Sequence, residues 1–553
     1  MCSIEGFTGK HSEFNISQFS KFNSDRGPDG FNSWEDQHVS IGHNLLSIQH
    51  LGNNIAQPLI DSSGGVLSYN GEIYDLNTFD TSFISDVMCS NRLDVLKHEV
   101  NGMFAISYYN PNKKTITLIR DHLGVKPLYY MELNGDFFWS STEKPLIAVL
   151  NAKQKNPQSN SRLHAFVNSD GWIYPPYSLY SSIRSVAPGG IMVWDMKTKK
   201  LIRGGSMWDG FDLWPNQRWD AEEYEDICYN ALKSTMHAPD IPKAVSLSGG
   251  VDSALVAGCA KNEDNLFAVS VSYEYDIHNI DPKRGATLIG EHKRAMNVAQ
   301  RINIPLHIAN HPIDTKDMFE PMVSALGGWY SMGSRLSPRY VSAKTSAAHG
   351  AKIWATGDLA DELVTGVGRD NFFRGPNIIR EEDYRPRPGT HFLAGYVGGY
   401  AGLKKSLQKG PEQYQGDILN WVYFLQDAFS VDGINNMLFL RHLLSCHNYN
   451  SINDRFAGAF GMESRSPYSY QKLVKYVLKI PSSYKFGSSS IRDKPLLRKH
   501  MARHIPDFLR TFGPKAGFCT PHRDDYDHEL NLKIKEQEVK RAVTYCIESL
   551  TFD

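Results

Sequence analysis

The chain opens with MCSIEGFTG, in which Cys2 directly follows Met1. Removal of Met1 would leave Cys2 with a thiol nucleophile and a free α-amine that can take the thiol proton. The ordinary pKa of an α-amine, about 7.7–8.0, suits this task near neutral pH. Position alone does not establish the role, because any residue can follow an initiator methionine.

A second stretch whose residues could bind a ligand is SLSGGVDSA, from Ser246 to Ala254. It lies between a predicted strand and a predicted helix, where backbone N–H groups can converge on an anion. It lacks the GxxxxGK[ST] and GxGxxG patterns, and it resembles the pyrophosphate loop of ATP pyrophosphatases, in which Asp252 would help to hold Mg²⁺. An ordinary turn with a helix cap is the alternative. The N–H groups expected at the phosphate belong to Ser248, Gly249, Gly250 and Ser253.

An acidic cluster follows another predicted strand in AKIWATGDLADELVTG, where Asp358, Asp361 and Glu362 can share one helical face. Magnesium prefers a few carboxylates together with phosphate oxygens. Asp252 and Asp361 are therefore predicted to hold Mg²⁺ on a pyrophosphate group. The alternative is a solvated acidic start of a helix, which the helix dipole favours.

The elements that position these residues change in character along the chain. Strand and helix alternate from about residue 218, which predicts a parallel sheet with ligands at the carboxyl ends of its strands. Residues 204–220 are the predicted linker, and the pattern beyond about residue 370 is largely helical. Before residue 200 the sequence predicts packed sheets from the runs HVSIGHNLLSIQ, GGVLSYNGEIY, GMFAISYYN, KTITLIRD, PLYYMEL, DFFWSST and GGIMVWDM.

Length and composition limit the class of protein. A chain of 553 residues predicts two or three domains, and 41% hydrophobic with 22% charged residues is typical of globular proteins. The 59 basic and 60 acidic side chains create no overall field for nucleic acid or a membrane surface, so small molecules are the expected partners. Seven cysteines without a CxxC pair argue against disulfides and a zinc site. With no apolar run near 18 residues, we expect a cytoplasmic protein.

Colinear motifs over nearly the whole chain resemble the glutamine-dependent asparagine synthetase family. In the first half these are MCSI, RGPDG (26–30), LSI (46–48), AQPL (56–59), NGEIY (70–74), GMFA (102–105) and RDHLGVKPLYY (120–130). In the second half, beside the two sites above, they are DR (454–455), GMESRSP (461–467), DKPLLR (493–498) and KAGF (515–518).

The resemblance implies two domains. Residues 2–205 would be a class II glutamine amidotransferase domain with the αββα N-terminal-nucleophile sandwich. Residues 206–553 would be an asparagine synthetase domain, an ATP-pyrophosphatase-type α/β fold with a parallel sheet and a helical C-terminal part. The implied reaction amidates aspartate with glutamine-derived ammonia through β-aspartyl-AMP, and releases AMP and pyrophosphate.

For the first domain, the resemblance implies that Cys2 attacks the glutamine amide to give a thioester and ammonia. Asn70 and Gly71 would bind glutamine and supply the oxyanion donors. Glu72 would hold the glutamine ammonium together with Asp86. Arg26 would be structural or line the pocket.

For the second domain, the resemblance implies that ATP and Mg²⁺ are the cofactors. Lys494 would neutralise charge as the acyl-adenylate forms and collapses, and Asp358 would be catalytic. Glu463 and Arg465 are expected to form a buried pair that braces the site. Besides the pyrophosphate loop, the residues implied for the adenosine part of ATP are Leu247, Val269, Thr356 and Gly357.

Three departures from the family bear on the substrates. Leu45 replaces the usual arginine on the glutamine carboxylate, so glutamine is expected to bind weakly unless His43, His50 or another cation substitutes. In GDLADE, Asp358 replaces a glutamate and Leu359 a glycine, and Tyr470 replaces an aspartate.

These departures leave four alternatives to asparagine synthesis. They are amidation of another carboxylate, intramolecular ring closure as in β-lactam synthetases, an ammonia-dependent synthetase with a weakened glutaminase site, and a non-catalytic ATP-binding protein. Cys2 argues against ring closure, because the β-lactam synthetases lack this nucleophile. The oligomeric state, a homodimer included, stays open.

Overall fold

The two parts of the chain differ in architecture as the sequence predicts. No helix in the described residues is long and apolar enough to cross a membrane. The computed structural model describes residues 1–48, 56–76, 78–153, 155, 157, 173, 175–208, 219–273, 282–312, 316–328, 336–364, 442–443, 445–485, 494–510, 541–542 and 544–552.

The N-terminal part, residues 1–208, contains two antiparallel sheets. One has the order β10-β8-β9-β1-β3-β2 and the other the order β12-β11-β7-β6-β5-β4. The strands are β1 (Ser3–Thr8), β2 (Gly30–Glu35), β3 (Val39–Leu45), β4 (Leu59–Ile60), β5 (Val66–Tyr74), β6 (Asn101–Asn110), β7 (Thr115–Arg120), β8 (Tyr129–Leu133), β9 (Asp136–Ser140), β10 (Arg184–Ser185), β11 (Gly190–Asp195) and β12 (Lys200–Ser206).

The two sheets and their helices make four layers. Ile4 and Ile41 of one sheet pack with Val66 and Ile116 of the other in a core where Trp139 is fully buried. Alternating side chains leave a second apolar face on each sheet, which helices cover. The helices are α1 (Ile16–Lys21), α2 (Asp80–Cys89), α3 (Leu93–His98) and α4 (Lys144–Ala152).

The C-terminal part, residues 219–552, contains a five-stranded parallel sheet with the order β15-β14-β13-β16-β17. Its strands are β13 (Lys243–Ser246), β14 (Leu266–Tyr273), β15 (Leu306–His311), β16 (Ile353–Ala355) and β17 (Glu463–Arg465). The α-helices are α5 (Ala221–Ser234), α6 (Val251–Cys259), α7 (Pro282–Ile302), α8 (Phe319–Leu326), α9 (Leu336–Ala348), α10 (Ala360–Val364), α11 (Ser451–Ala459), α12 (Gln471–Lys479), α13 (Ser482–Lys485), α14 (Pro495–Arg498) and α15 (Asp507–Arg510).

The seven strand runs predicted before residue 200 are confirmed as β3, β5, β6, β7, β8, β9 and β11. The strand and helix alternation after residue 218 is confirmed as well, by β13, α6, β14, α7, β15 and β16. The predicted linker begins too early. Ser206 ends β12, and Met207 and Trp208 are buried, because the strand continues against β11 and the two side chains join the core.

Among the residues that the structure describes, four buried ion pairs join the two parts of the chain. Each has one residue from the N-terminal part and one from the C-terminal part, and the side chains are at most 8% exposed. Removal of one partner of such a pair destabilises a protein, because the remaining charge is left unpaired in a desolvated interior. The pairs are Arg26–Asp454 (2.6 Å), Lys126–Glu463 (3.1 Å), Arg465–Glu72 (2.6 Å) and Glu143–Arg455.

We expect Glu463→Gln to destabilise the protein by about 3–5 kcal/mol at pH 5.5, because Lys126 and Arg465 lose a buried partner. Burial alone would raise the pKa of the Glu463 carboxyl, but the charges of Lys126, Arg465 and the N-terminus lower it from 4.5 to about 2. The contribution of the ionised carboxyl is therefore complete above pH 4.5 and is lost as the pH falls toward 2. The stability gap between wild type and variant should narrow over this window.

Urea unfolding at pH 5.5 and pH 3.5 measures that gap. The control is Glu132→Gln, which changes an exposed carboxylate on β8 and should match wild type at both values. A gap between wild type and Glu463→Gln that stays constant with pH would contradict an ionised, paired Glu463.

Candidate active sites

A cavity of about 80 Å³ opens beside Cys2. Its walls come from β3, β5 and the start of α2, and Glu463 reaches it from β17 of the C-terminal part. The chain thus builds this pocket from both of its parts. The lining residues are Cys2, Leu45, Leu46, Ile48, Gln57, Tyr69, Asn70, Gly71, Glu72, Phe79, Asp80, Thr81 and Glu463.

The thiol of Cys2 is held against the backbone of Leu46. Its Sγ accepts the Leu46 N–H at 3.4 Å and lies 3.6 Å from the Leu46 carbonyl. Burial raises the pKa of the thiol, although the N-terminal amine in its charged form and the Leu46 N–H act in the opposite direction. Met1 is buried, with its amine 3.3 Å from the Met462 carbonyl, and burial lowers the pKa of that amine to about 4. The buried Met1 amine is therefore charged only at acid pH.

Asn70 and Gly71 lie together on β5 beside Cys2. The side-chain amide of Asn70 is buried, and neither of its polar atoms has a hydrogen-bond partner among the described residues. A buried amide without a partner is costly, so this group is ready to donate to an oxygen that enters the pocket. At Gly71 a Cβ atom would come within 2.2 Å of the Met103 carbonyl, so the close approach of β6 requires glycine there.

Three ion-pair contacts adjoin the pocket through Glu72 and Glu463. Arg465 contacts Glu72 at 2.6 Å and Glu463 at 3.2 Å, and Lys126 contacts Glu463 at 3.1 Å. Glu463 and Arg465 thus form the buried pair that the sequence predicts. The pair also does something the sequence does not indicate, since it carries a carboxylate from β17 into the wall of the Cys2 pocket.

Asp86 does not belong to this pocket. Its side chain is exposed on α2, one and a half turns beyond the residue that does face the cavity, Asp80. Asp80 accepts hydrogen bonds from the Tyr69 hydroxyl at 3.0 Å and the Thr81 N–H at 2.7 Å, and burial raises its pKa. The structure thus does not bring Asp86 together with the other predicted donor-binding residues, and its role as an ammonium ligand stays a prediction. Asp80 is the carboxylate of α2 that lines the cavity.

We expect Asp80→Asn to raise the KM for the amide donor by about tenfold or more, because a charged contact to an ammonium is lost. Asp86→Asn is the matched control on the same helix and should leave the KM as in wild type, since its side chain faces solvent. Steady-state ammonia release from the donor measures both. A raised KM in Asp86→Asn, together with an unchanged KM in Asp80→Asn, would support Asp86 as the ligand of the donor ammonium.

The pyrophosphate-loop sequence forms the predicted turn between β13 and α6. The Ser248 N–H donates to Ser253 Oγ at 3.2 Å, and Gly250 precedes the first residue of α6. Gly249 has a φ of +73°, a left-handed conformation that favours glycine. Leu247 is buried, and its N–H donates to the Val269 carbonyl at 2.8 Å, so the start of the loop is bonded to β14.

The end of β16 packs directly against this loop. A Cβ at Gly357 would lie 2.6 Å from the Ser253 nitrogen, so only glycine permits this approach. Thr356 donates its hydroxyl to Asp358 at 2.9 Å, and its N–H donates to the Arg465 carbonyl at 3.4 Å. The residues expected at ATP therefore come together at the carboxyl edge of the parallel sheet.

Asp252 and Asp361 meet at a single cation. The Lys494 ammonium contacts Asp252 and lies 2.6 Å from Asp361 Oδ1. Burial would lower the pKa of Lys494, but the two carboxylates outweigh burial and raise it. This donor set fits Mg²⁺, because two carboxylates that share one cation are close enough to share a metal ion bound to phosphate oxygens.

Asp358 is held by residues that the sequence analysis does not single out. Arg339 donates to both of its oxygens, at 2.8 and 3.2 Å, and Asn453 donates at 2.9 Å. A bidentate guanidinium contact orients a carboxylate strongly. Asn453 directly precedes the DR motif, and this position could have identified it from the sequence. Arg339 on α9 lies outside every motif quoted above, so no sequence signal pointed to it.

The departures from the family occupy defined places. Leu359 has a φ of +74°, in a region where a glycine is free of strain and a leucine is not. Tyr470 donates to Asp75, so it joins the two parts of the chain. His43 is buried against Ser68, and burial lowers its pKa to about 3, so it is neutral and cannot replace a guanidinium. His50 lies outside the described residues.

The geometry defines a class of two-part proteins in which a cysteine pocket in a sandwich of sheets adjoins a phosphate-type loop on a parallel sheet. The comparisons with known proteins agree with this class. Residues 1–203 match the family model for a glutamine amidotransferase domain, and residues 223–543 match the model for asparagine synthase. The second match covers more than half of the chain, which therefore belongs to the asparagine synthase family.

Individual relatives are distant. Asparagine synthetase [glutamine-hydrolyzing] 1 of Bacillus subtilis is 23% identical, over 96% of this chain and 89% of that protein. Amidase chry2 of Gibberella zeae is also 23% identical, over 94% and 86% respectively. A solved glutamine phosphoribosylpyrophosphate amidotransferase from B. subtilis aligns over 56% of this chain and 81% of that chain, with 10% identity and a TM-score of 0.27.

Proposed function

We propose that the chain is an ATP-dependent amidotransferase that converts aspartate to asparagine with ammonia from an amide donor. Aspartate would be activated as β-aspartyl-AMP, with release of pyrophosphate, and ammonia would then displace AMP. The observation that carries the proposal is the position of β17. Glu463 at its start lines the Cys2 pocket, and the Arg465 carbonyl at its end accepts the Thr356 N–H beside the pyrophosphate loop. One three-residue strand thus contacts both candidate sites.

In the first site, Cys2 is proposed to become the N-terminal residue when Met1 is removed. Its amine would then take the thiol proton, and the sulfur would attack the donor amide. The Asn70 amide and the Gly71 N–H would stabilise the oxyanion, and Glu72 with Asp80 would hold the donor ammonium. Ammonia would leave, and water would then release the acyl group from sulfur.

In the second site, Ser248, Gly249, Gly250 and Ser253 would bind the pyrophosphate of ATP, and Leu247, Val269, Thr356 and Gly357 its adenosine part. Asp252 and Asp361 would hold Mg²⁺, which when bound supplies positive charge to the pyrophosphate oxygens. Lys494, held between these carboxylates, would supply charge where the adenylate forms. Asp358, oriented by Arg339 and Asn453, would be the catalytic carboxylate on the acceptor side.

Ammonia would pass internally from Cys2 to the adenylate, and the shared strand β17 is consistent with this path. A domain boundary near residue 205/206 is part of the proposal.

The proposal is tested by pyrophosphate and AMP release from ATP with ammonium salt and a panel of carboxylates, namely aspartate, glutamate, β-alanine and succinate. We expect both products with aspartate, in equal amounts and together with asparagine. Release of pyrophosphate and AMP with another carboxylate, and not with aspartate, would show that aspartate is not the acceptor but would support the proposed type of reaction. The absence of AMP with every carboxylate would favour a non-catalytic protein.

A further inference from the structure

We propose that the Cys2 pocket prefers amide donors that carry an ammonium group and no carboxylate. The simplest such analogue of glutamine is 4-aminobutanamide, which keeps the amide, the three-carbon chain and the ammonium. The inference rests on the proposed function, in which Cys2 attacks the donor amide. It concerns only what the pocket recognises at the far end of that donor.

Part of the pocket wall is apolar. Leu45, at the end of β3, stands where the resemblance implies an arginine for the donor carboxylate, and Leu46, Ile48 and Phe79 line the same cavity. Phe79 is 36% exposed and lines the cavity, which therefore offers apolar surface to a ligand. A carboxylate against this wall would lose its hydration without gaining a partner, which is unfavourable.

The cations near the pocket are already paired. Lys126 and Arg465 have fully buried side chains that contact Glu463 and Glu72 from behind, and neither lines the cavity. His43 is neutral. Among the described lining residues there is accordingly no cationic side chain to receive a carboxylate.

Three carboxylate side chains, in contrast, are among the described residues that line the cavity. Glu72, Asp80 and Glu463 all contribute to its surface. Lys126 and Arg465 pair with Glu463 and Glu72, the pKa of Glu463 is lowered, and burial raises the pKa of Asp80. Because the three carboxylates outnumber the two cations, an entering ammonium is favoured over an entering carboxylate. The same pocket therefore rejects one end group of glutamine and accepts the other.

The chemistry of the step is unchanged by the loss of the carboxylate. The sulfur forms a bond to the amide carbon, the carbon–nitrogen bond breaks, and the leaving nitrogen takes the proton removed from the thiol to give ammonia. Water then adds to the thioester, and the carbon–sulfur bond breaks to regenerate the thiol. The products of 4-aminobutanamide and water are 4-aminobutanoate and ammonia.

The experiment measures kcat/KM for ammonia release from three amides by the full-length wild-type protein. Glutamine has both end groups, 4-aminobutanamide has only the ammonium, and glutaramate has only the carboxylate. We expect kcat/KM for 4-aminobutanamide to exceed that for glutamine, and kcat/KM for glutaramate to be lower than either by about tenfold or more. A kcat/KM for glutamine equal to or above that for 4-aminobutanamide overturns the inference.

Leu45→Arg gives a second, independent readout. The introduced guanidinium should shift the ratio of glutamine to 4-aminobutanamide by about tenfold or more toward glutamine, mainly through KM. Ile202→Arg, which adds the same side chain at a 51% exposed position on β12, is the matched control and should keep the wild-type ratio. An equal shift in both variants would also overturn the inference.

Cys2→Ala separates this inference from the proposed function. Ammonia release that persists in Cys2→Ala, or that occurs with none of the three amides in wild type, contradicts the proposed role of Cys2 itself. Release that depends on Cys2 but favours glutamine leaves the proposed function intact and contradicts only the donor preference.

Discussion

Asp252→Ala is expected to lower AMP and pyrophosphate formation by about 10³-fold or more, even when ammonia is supplied directly. The physical reason is that Asp252 and Asp361 share one cation, so the variant removes half of the proposed Mg²⁺ site and part of the charge that holds Lys494. Groups that stabilise the transferring phosphate commonly act on this scale.

The measurement is AMP formation with ammonium salt, alongside ammonia release from the amide donor by the same variant. The second activity should persist, because the Cys2 pocket contains no part of the pyrophosphate loop. Asp226→Ala, which removes a 47% exposed carboxylate on α5, is the control and should retain AMP formation. AMP formation at the wild-type rate in Asp252→Ala would refute the assignment of the loop.

Cys2→Ala is expected to reduce ammonia release from the donor by more than about 10³-fold, because the nucleophile is lost. Synthesis from added ammonium salt should stay within about twofold of wild type, since the pyrophosphate loop and its carboxylates lie on another sheet. Cys2→Ser, which keeps the size and polarity of the side chain, should show the same division.

Mass spectrometry of the purified protein adds a check on the nucleophile, because the proposed mechanism requires an N-terminal Cys2. Loss of both activities in a variant that keeps the wild-type circular dichroism would show that the two sites are not separate. A protein that retains Met1 and still releases ammonia would require another base for the thiol.

Local patterns predict much of the fold. The alternation in GGVLSYNGEIY and GMFAISYYN predicts β5 and β6, and the run KAVSLSGGVDSALVAG predicts the strand, loop and helix that hold Asp252. These segments can be predicted because a local hydrophobic periodicity or a single turn motif determines their structure. The position of β1 between β9 and β3 has no such local signal, since it depends on pairing with strands far along the chain.

The candidate sites follow the same rule. The loop and the acidic cluster could be predicted because each is contiguous in sequence. Glu463 in the Cys2 pocket could not be predicted, because 461 residues separate Met1 from its neighbour Met462. Asp86 was predicted at this pocket and Asp80 was not, because the choice depends on which way α2 faces, and six residues of helix turn a side chain about a third of a turn away.

The four described buried ion pairs between the two parts also determine whether one part can be expressed alone or exchanged with that of a relative. A gene segment that encodes the first part alone would produce four buried charged side chains whose partners are missing. In the second part alone, Asp454 and Arg455 would lose their ion-pair partners, and Glu463 and Arg465 would keep only each other in such pairs. Recombination with a relative would succeed only where the incoming part brings the matching charges. Chimeras that exchange the first part should therefore be designed with Arg26, Glu72, Lys126 and Glu143 transplanted as a set.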